Sequence, residues 1–404
     1  MTGRPGARPE VAFVVQRYGE GITGGSESLA RAVAERLAGE HRITVFTTCA
    51  RDYVTWRNEL PEGPERLGGV DVLRFPAEEE RDLAAFNAFA EPLYARERTH
   101  GEEIEFLRRQ GPHAPRLVEA LRAQKDRFAA VVFFTYLYSP TYGGLKAAPE
   151  RAALVPTTHD EPPLRFSIYR EVFSLPRAFG FLTPAEEALV RRRFPLGDRP
   201  GFLVGMGVEV PPPPDVAGFR ARHGLERPYV LYAGRIDAGK GCAEMLAHHE
   251  RYRREKEGAA ALVLIGRLAM PLPGQPGVRY LGFLPEAEKA AAMAGARAIV
   301  CPSPYESLSI VLLEGFALGT PGLVSARSAV LEEHCRRSNA GLFYADGDEY
   351  VEAMDLLARE EALREALGAN GRRYVEAEYR WDVVLVRWRA LLTAAAGGRL
   401  QDSL

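Results

Sequence analysis

The chain has 404 residues, of which 46% are apolar and 26% charged, and its formal net charge is −2. This length predicts two domains of roughly 150–200 residues, and the charge balance excludes a nucleic-acid partner held mainly by phosphate contacts, which would require a basic face. The first ten residues, MTGRPGARPE, contain no apolar segment, and no 18-residue apolar run follows. We therefore expect neither a signal peptide nor a membrane span. The four cysteines are scattered, which indicates reduced thiols rather than a disulfide framework or a zinc site.

The first half of the chain alternates short apolar runs with helical stretches, which predicts a parallel sheet built from β-α-β units. Between residues 78 and 128 the pattern becomes charged and helical, so we expect a helical excursion at the edge of this sheet. The predicted buried strands are Val11–Val15, Ile43–Thr47, Val70–Phe75, Val131–Phe134 and Leu154–Thr158.

Four consecutive prolines, Pro211–Pro214, form a stiff connector, after which the β-α pattern restarts. We therefore predict an N-terminal domain of residues 1–210, a C-terminal domain of residues 211–378 and a final helical segment, 379–404. Ligands bind beyond the carboxyl ends of strands in such sheets, so we expect two doubly wound domains that face each other across a cleft. The strands predicted in the second domain are Tyr229–Ala233, Ala261–Ile265, Val278–Leu281, Ala298–Cys301, Gly322–Ser325 and Gly341–Tyr344.

A glycine-rich loop, YGEGITGGSES, joins the first predicted strand to a helix and has the G-x-G-x-x-G spacing at Gly19, Gly21 and Gly24. A dinucleotide site also needs a carboxylate at the end of the second strand, where it binds the ribose hydroxyls. Here that strand ends in Thr47, Thr48 and Cys49. We predict a ligand-binding loop at a helix N-terminus that does not bind NAD or FAD. A glycine-rich turn without a ligand is the alternative.

A second glycine loop, GRIDAGKG, follows the strand YVLYA and matches the start of a P-loop. Gly241, however, stands where a P-loop has the Ser or Thr that binds magnesium. Arg235 and Lys240 are two cations at this turn, and they suit a pyrophosphate bound without an obligatory metal ion. Only five of the 52 basic residues are lysines, which favours a specific role for Lys240 over that of a solvated turn residue.

Glu306 and Glu314 lie eight residues apart in CPSPYESLSIVLLEGFALGTP, a segment predicted to run from strand to turn to helix. Glu314 interrupts an apolar run, where a carboxylate is costly without a partner, and ligand hydroxyls would provide one. The helix that begins near Ser307–Ser309 would direct its free N–H groups at an anion. We assign Asp346 and Asp348, in a polar turn, to helix capping rather than to a metal site.

Together these motifs resemble the family 4 glycosyltransferases, which have the GT-B fold of two Rossmann-like domains and an E-x7-E signature. The resemblance covers most of the chain and rests on Gly24–Gly25, the histidine of TTHDEPP, the G-R-x4-K-G segment and the two glutamates. It implies that the final helix, which contains tryptophans, crosses back onto the N-terminal domain.

The resemblance also implies roles in binding a nucleoside diphosphate sugar. Arg235 and Lys240 would hold the diphosphate and stabilise its departing charge, Glu306 would bond the donor sugar, Glu314 would bond the ribose, and His159 would lie beside the sugar. The other implied donor-binding residues are Gly25, Gly234, Gly266, Arg267, Leu284, Ser307, Leu308 and Ser309. Ser307 and Ser309 replace glycines that are frequent in that family. The candidates on the acceptor side are Gly24, Tyr136 and Tyr138.

We therefore predict transfer of a sugar from a nucleoside diphosphate sugar to a hydroxyl acceptor, with retention at the anomeric carbon and with no cofactor or obligatory metal. Same-face attack and a covalent intermediate both stay open as mechanisms. A nucleotide-sugar epimerase and a non-catalytic nucleotide-sugar binding module are the alternative functions. We expect a cytoplasmic protein, with peripheral contact at the inner face of the membrane if the acceptor is lipid-linked.

Overall fold

The computed structural model describes residues 8–22 and 24–397, which form two compact units. The first unit comprises the described residues up to Gly205 together with those from Leu385 onward, and the second comprises Met206–Val384. Among the described residues, no helix has the length and apolar character needed to cross a bilayer.

The sheet of the first unit has the strand order β3-β4-β2-β1-β5-β6-β7-β8, and all its neighbours are parallel except the antiparallel pair β3 and β4. The order reverses between β1 and β5, which is the point where ligands bind in doubly wound sheets. The strands are β1 (Glu10–Val14), β2 (Arg42–Thr48), β3 (Gly63–Leu67), β4 (Val70–Phe75), β5 (Ala130–Phe134), β6 (Ala152–Val155), β7 (Ala178–Phe181) and β8 (Gly201–Leu203).

The helices of the first unit cover both faces of this sheet, and the predicted helical excursion is present as α2, α3 and α4. A capping box at Thr99 and Glu102 begins α3, and Asp82 caps α2. The helices are α1 (Gly25–Leu37), α2 (Leu83–Tyr94), α3 (His100–Gln110), α4 (Pro115–Gln124), α5 (Ser139–Ala147), α6 (Ile168–Ser174) and α7 (Pro184–Arg193).

The sheet of the second unit is entirely parallel, with the order β11-β10-β9-β12-β13-β14. Counted from β9, this is the 3-2-1-4-5-6 order of a Rossmann sheet, and its reversal lies between β9 and β12. The strands are β9 (Tyr229–Ala233), β10 (Ala261–Ile265), β11 (Val278–Tyr280), β12 (Ile299–Cys301), β13 (Gly322–Ser325) and β14 (Gly341–Tyr344). The helices are α8 (Val216–Arg222), α9 (Cys242–Glu255), α10 (Glu286–Ala294), α11 (Ile310–Leu318), α12 (Ala329–Ser338), α13 (Gly347–Arg359) and α14 (Glu361–Glu378). The last helix, α15 (Trp381–Ala396), begins in the second unit, and its residues from Leu385 onward belong to the first.

Two local features of these helices bear on the sequence predictions. The Asp346 carboxylate accepts the N–H groups of Asp348 at 2.9 Å and Glu349 at 3.0 Å, so the predicted helix cap is confirmed for Asp346, whereas the Asp348 carboxylate pairs with Arg251. The part of α15 that belongs to the first unit buries Trp388, whose ring stacks on Phe134 with centroids 6.0 Å apart. This buried aromatic pair anchors the last helix in the core of that unit.

Candidate active site

The loops after β9 and β12 meet where the strand order of the second unit reverses, and they bring both predicted cations together with one predicted glutamate. The Lys240 Nζ atom lies 2.8 Å from the Glu306 Oε1 atom. The Arg235 guanidinium contacts the carboxylate of Asp237, a residue that the sequence analysis did not single out. The four side chains are partly exposed and form two ion pairs. Each cation is thus held beside a carboxylate at the carboxyl end of the sheet.

Asp237 and Gly241 explain why the first of these loops has its shape. The Asp237 carboxylate caps the short 3₁₀ turn Ala238–Lys240 by accepting the Lys240 N–H at 2.9 Å. Gly241 has a φ of +74°, and a Cβ atom there would lie 2.4 Å from the Pro302 carbonyl oxygen. The position that holds a magnesium-binding hydroxyl in a P-loop therefore has no room for a side chain.

The N-terminus of α11 presents backbone donors beside this cluster. Ser309 has a φ of +63°, a left-handed conformation that costs a non-glycine residue about 1–2 kcal/mol. Within the described chain, the N–H groups of Ser309, Ile310 and Val311 donate to no protein acceptor. Three open donors and the positive end of the helix dipole make this end of α11 suited to an anion.

Glu314 lies one turn further along α11 and is paired with Lys289 of α10. The Lys289 Nζ atom is 2.8 Å from Glu314 Oε1 and 3.1 Å from an oxygen of Glu286. The second oxygen of Glu314 is buried without a hydrogen-bond partner among the described residues. Burial raises the pKa of Glu314 above its ordinary value, and Lys289 partly offsets that rise. Lys289 was missed, although the scarcity of lysines that favoured Lys240 applies to it equally.

The remaining predicted donor residues line the carboxyl ends of β9, β10 and β11. A Cβ atom on Gly266 would lie 2.1 Å from the Gly234 carbonyl oxygen, so the two loops need glycine in order to pack together. The Gly266 N–H donates to the Gly282 carbonyl at 2.8 Å. Arg267 is exposed beside these glycines, whereas Leu284 is buried.

In the first unit, Gly24 and Gly25 lie at the start of α1, and Thr23 before them is outside the described residues. A Cβ atom on Gly24 would lie 2.3 Å from Glu27, whose carboxylate forms a buried 2.6 Å ion pair with Arg17. A Cβ atom on Gly25 would meet nothing within 4 Å. Packing against Glu27 therefore explains why residue 24 is a glycine, whereas the open space around Gly25 leaves room for a ligand. The Arg17–Glu27 pair was not predicted from the sequence.

His159 follows β6, and a carboxylate bridges it to a buried phenol. Its Nε2 atom lies 3.4 Å from Glu161 Oε2, and the Tyr136 hydroxyl donates to Glu161 Oε1 at 2.8 Å. Tyr136 is fully buried, and this burial raises the pKa of its hydroxyl well above the ordinary value. The hypothesis that Tyr136 lies on an acceptor-binding surface is therefore wrong: it supports Glu161 from the core.

Tyr138, the other tyrosine candidate, is half-buried at the start of α5. Its ring meets that of Trp56 edge to face, with centroids 5.4 Å apart. Tyr138 thus keeps part of its surface open beside the reversal point between β1 and β5, where a ligand of this unit would bind.

We predict that NADH does not bind at micromolar concentration, because the end of β2 offers no ribose-binding carboxylate. Thr48 donates to the Gln16 carbonyl at 2.7 Å, and one oxygen of Asp52 accepts the N–H groups of Val54 and Thr55 at 2.6 and 2.8 Å. The nearest carboxylate is thus committed to its own turn. A fluorescence titration with NADH measures this, and saturable micromolar binding would contradict it.

Comparison with known proteins shows that most of the second unit is similar to a family of transferases. Residues 218–374 match the family described as glycosyl transferases group 1. The chain is 31% identical over 220 residues to a D-inositol 3-phosphate glycosyltransferase of Frankia alni, covering 48% of this chain and 53% of the relative. It is 29% identical over 196 residues to a GDP-mannose-dependent phosphatidylinositol monomannoside mannosyltransferase of Mycobacterium tuberculosis, covering 44% and 50%. The chain spans about half the length of the curated relatives it matches.

Solved structures match almost the whole chain at lower identity. A sucrose-phosphate synthase from Thermosynechococcus elongatus superposes with a TM-score of 0.70 and 20% identity, covering 95% of this chain and 98% of that one. The Anabaena protein HepE, solved in complex with UDP and glucose, gives a TM-score of 0.68 at 13% identity, covering 96% and 100%. These similarities confirm the predicted fold class of two Rossmann-like domains.

Proposed function

We propose that the chain transfers a sugar from a nucleoside diphosphate sugar to a hydroxyl acceptor, with retention at the anomeric carbon. The match of residues 218–374 to the glycosyl transferases group 1, the similarity to a D-inositol 3-phosphate glycosyltransferase and the shared fold support this proposal. The observation that supports this most directly is the cluster of Arg235, Lys240 and Glu306 beside the open N–H groups at the start of α11. It combines donors for a diphosphate with a carboxylate for sugar hydroxyls in one place.

The charges of the cluster suit a departing diphosphate. Arg235 and Lys240 are balanced by Asp237 and Glu306, so the side chains together are neutral, and the α11 N–H groups add a positive field. Negative charge grows on the leaving phosphate as its bond to the sugar breaks, and preorganised donors stabilise that charge more in the transition state than in the ground state. The leaving phosphate would then accept the proton of the attacking hydroxyl on the same face.

The other site residues take complementary roles in this proposal. The buried Glu314 oxygen without a partner is available to the ribose hydroxyls, and Glu306 is available to the donor sugar. In the first unit, His159, Gly25 and the half-buried Tyr138 stay the candidate ligand residues. The names of the similar proteins, which include a GDP-mannose-dependent enzyme and a protein bound to UDP and glucose, support a nucleotide-sugar donor.

A thermal-shift screen over UDP, GDP, ADP and dTDP tests donor binding, because a ligand that binds only the native state raises its melting temperature. The matching nucleotide sugar is then incubated alone with the protein. Slow hydrolysis with no isomerised sugar supports a transferase, rapid epimerisation would show an epimerase, and an intact donor would indicate a binding module. If none of the four nucleotides raises the melting temperature, the donor assignment is wrong.

We further predict that turnover does not require a divalent metal. The P-loop hydroxyl position has no space for a side chain, and the described residues contain no group of three acidic, histidine or cysteine side chains that could hold a metal ion. The two cations and the α11 N–H groups would neutralise the diphosphate instead. Assays in excess EDTA should retain most of the activity, and a complete loss that magnesium or manganese restores would contradict this.

A further inference from the structure

A buried histidine of α12 lies directly beneath the loop that precedes α11. The Nε2 atom of His334 is 2.8 Å from the Leu308 carbonyl oxygen, and its Nδ1 atom is 3.1 Å from the Tyr374 hydroxyl. The side chain is only 2% exposed. His334 therefore contacts the interior side of the Ser307–Ser309 segment rather than the side open to a ligand.

The two hydrogen bonds determine where the imidazole proton resides. A carbonyl oxygen can only accept, so Nε2 of His334 must carry the hydrogen, and Nδ1 then accepts from the Tyr374 hydroxyl. Burial lowers the pKa of His334 to about 4, which keeps the ring neutral near pH 7. The neutral ring with one donor and one acceptor satisfies both neighbours.

The bond to Leu308 also determines the direction of the next N–H group. In a trans peptide the C=O and N–H bonds point in opposite directions. Since the Leu308 carbonyl points inward to His334, the Ser309 N–H points outward, and it donates to no protein acceptor in the described chain. Ser309 has a left-handed φ, and this backbone conformation accompanies the outward direction of its N–H group at the start of α11.

We propose that His334 is a positioning residue that fixes the Leu308–Ser309 peptide with its N–H directed at an oxygen of the donor's diphosphate or sugar. This rests on the proposed function, because the donor is what the N–H would bind. His334 itself contacts no substrate, and it acts through the peptide. The sequence offers no signal for this role, because 26 residues separate His334 from Leu308.

A pair of amide substitutions separates positioning from packing. His334→Gln places an amide N–H near the position of Nε2, whereas the shorter His334→Asn reaches only toward Nδ1 and Tyr374. We expect His334→Asn to bind the nucleoside diphosphate about tenfold more weakly, as expected for one weakened hydrogen bond to a charged group. His334→Gln should recover most of that affinity. Tyr379→Phe, which removes a hydroxyl 3.4 Å from that of Tyr374, is the control for loss of a polar group in the same buried cluster and should bind as the wild type does.

Calorimetric titration with the nucleotide that stabilises the wild-type protein measures these affinities, and thermal unfolding measures stability separately. Equal affinity in the wild type and both amide variants would overturn the inference while leaving the proposed function intact. If no nucleotide binds the wild type, both are overturned. Should His334→Asn fail to fold, selective ¹⁵N-serine labelling of the wild-type protein decides: the Ser309 amide signal should shift on nucleotide addition, and an unchanged signal would contradict the proposal.

Discussion

Replacing Arg235 or Lys240 by alanine should lower kcat by about 10²–10³, in addition to weakening donor binding, because that is the usual effect of removing one donor that stabilises developing charge. Both side chains lie in the loop after β9, at the reversal point of the second sheet. Part of their interaction with the diphosphate grows as the sugar–phosphate bond breaks, so the loss appears in kcat and not only in KM. Steady-state kinetics on both variants measures it.

Arg235→Lys and a double variant that combines Lys240→Ala with Glu306→Gln test whether the observed ion pairs explain these losses of activity. Arg235→Lys should also be impaired, because an ammonium cannot reproduce the planar fork that contacts Asp237 and, in the proposed site, would also bond a phosphate. Lys240→Ala removes the partner of Glu306, so its loss and that of Glu306→Gln should not add in the double variant. Wild-type turnover in both alanine variants would show that the diphosphate binds elsewhere.

The predicted bounds are those observed for β4, β9, β10, β13 and β14. Strands β9, β10 and β13 are nearly continuous apolar runs and are mostly buried, as is typical of a parallel sheet, whereas β4 alternates buried and partly exposed residues. The strand predicted at Leu154–Thr158 ends instead at Val155, because Pro156 has no N–H for the ladder and Thr157 has a φ of +51°. Strand β3 was missed because its residues are polar and mostly exposed at the sheet edge, and β7 and β8 were also missed.

The motifs of the candidate site could be recognised because each lies within one short segment at a strand end. The contacts that hold those motifs in place join residues far apart in sequence. Lys289 is 25 residues from Glu314, and Lys240 is 66 residues from Glu306. The spacing of residues on a single element gives no information on such pairs. Tyr136 was assigned wrongly for the same reason, since its burial depends on α6 packing against the end of β5.

The two glutamates of the signature should separate in their kinetic effects, because Glu306 is proposed to bond the donor sugar and Glu314 the ribose, away from the reacting bond. Glu306→Gln should reduce kcat, since Glu306 pairs with Lys240 and is proposed to bond the donor sugar. Its affinity for the free nucleoside diphosphate should change little. Glu314→Gln should chiefly raise KM for the donor, since a ribose contact is the same in the ground and transition states.

Lys289→Gln provides the matched control for the second glutamate. Without Lys289, burial raises the pKa of Glu314 further, so Glu314 becomes protonated at higher pH and binds ribose hydroxyls less well as the pH falls. Donor KM should therefore begin to rise at a higher pH in Lys289→Gln than in the wild type as the pH falls, whereas Glu314→Gln should lose this pH dependence because its amide does not titrate. The measurement is donor KM as a function of pH in the three proteins, with calorimetric titration of the free nucleotide into Glu306→Gln. If Glu306→Gln abolishes nucleotide binding, or Glu314→Gln lowers kcat with an unchanged KM, the sugar and the ribose occupy positions other than those proposed.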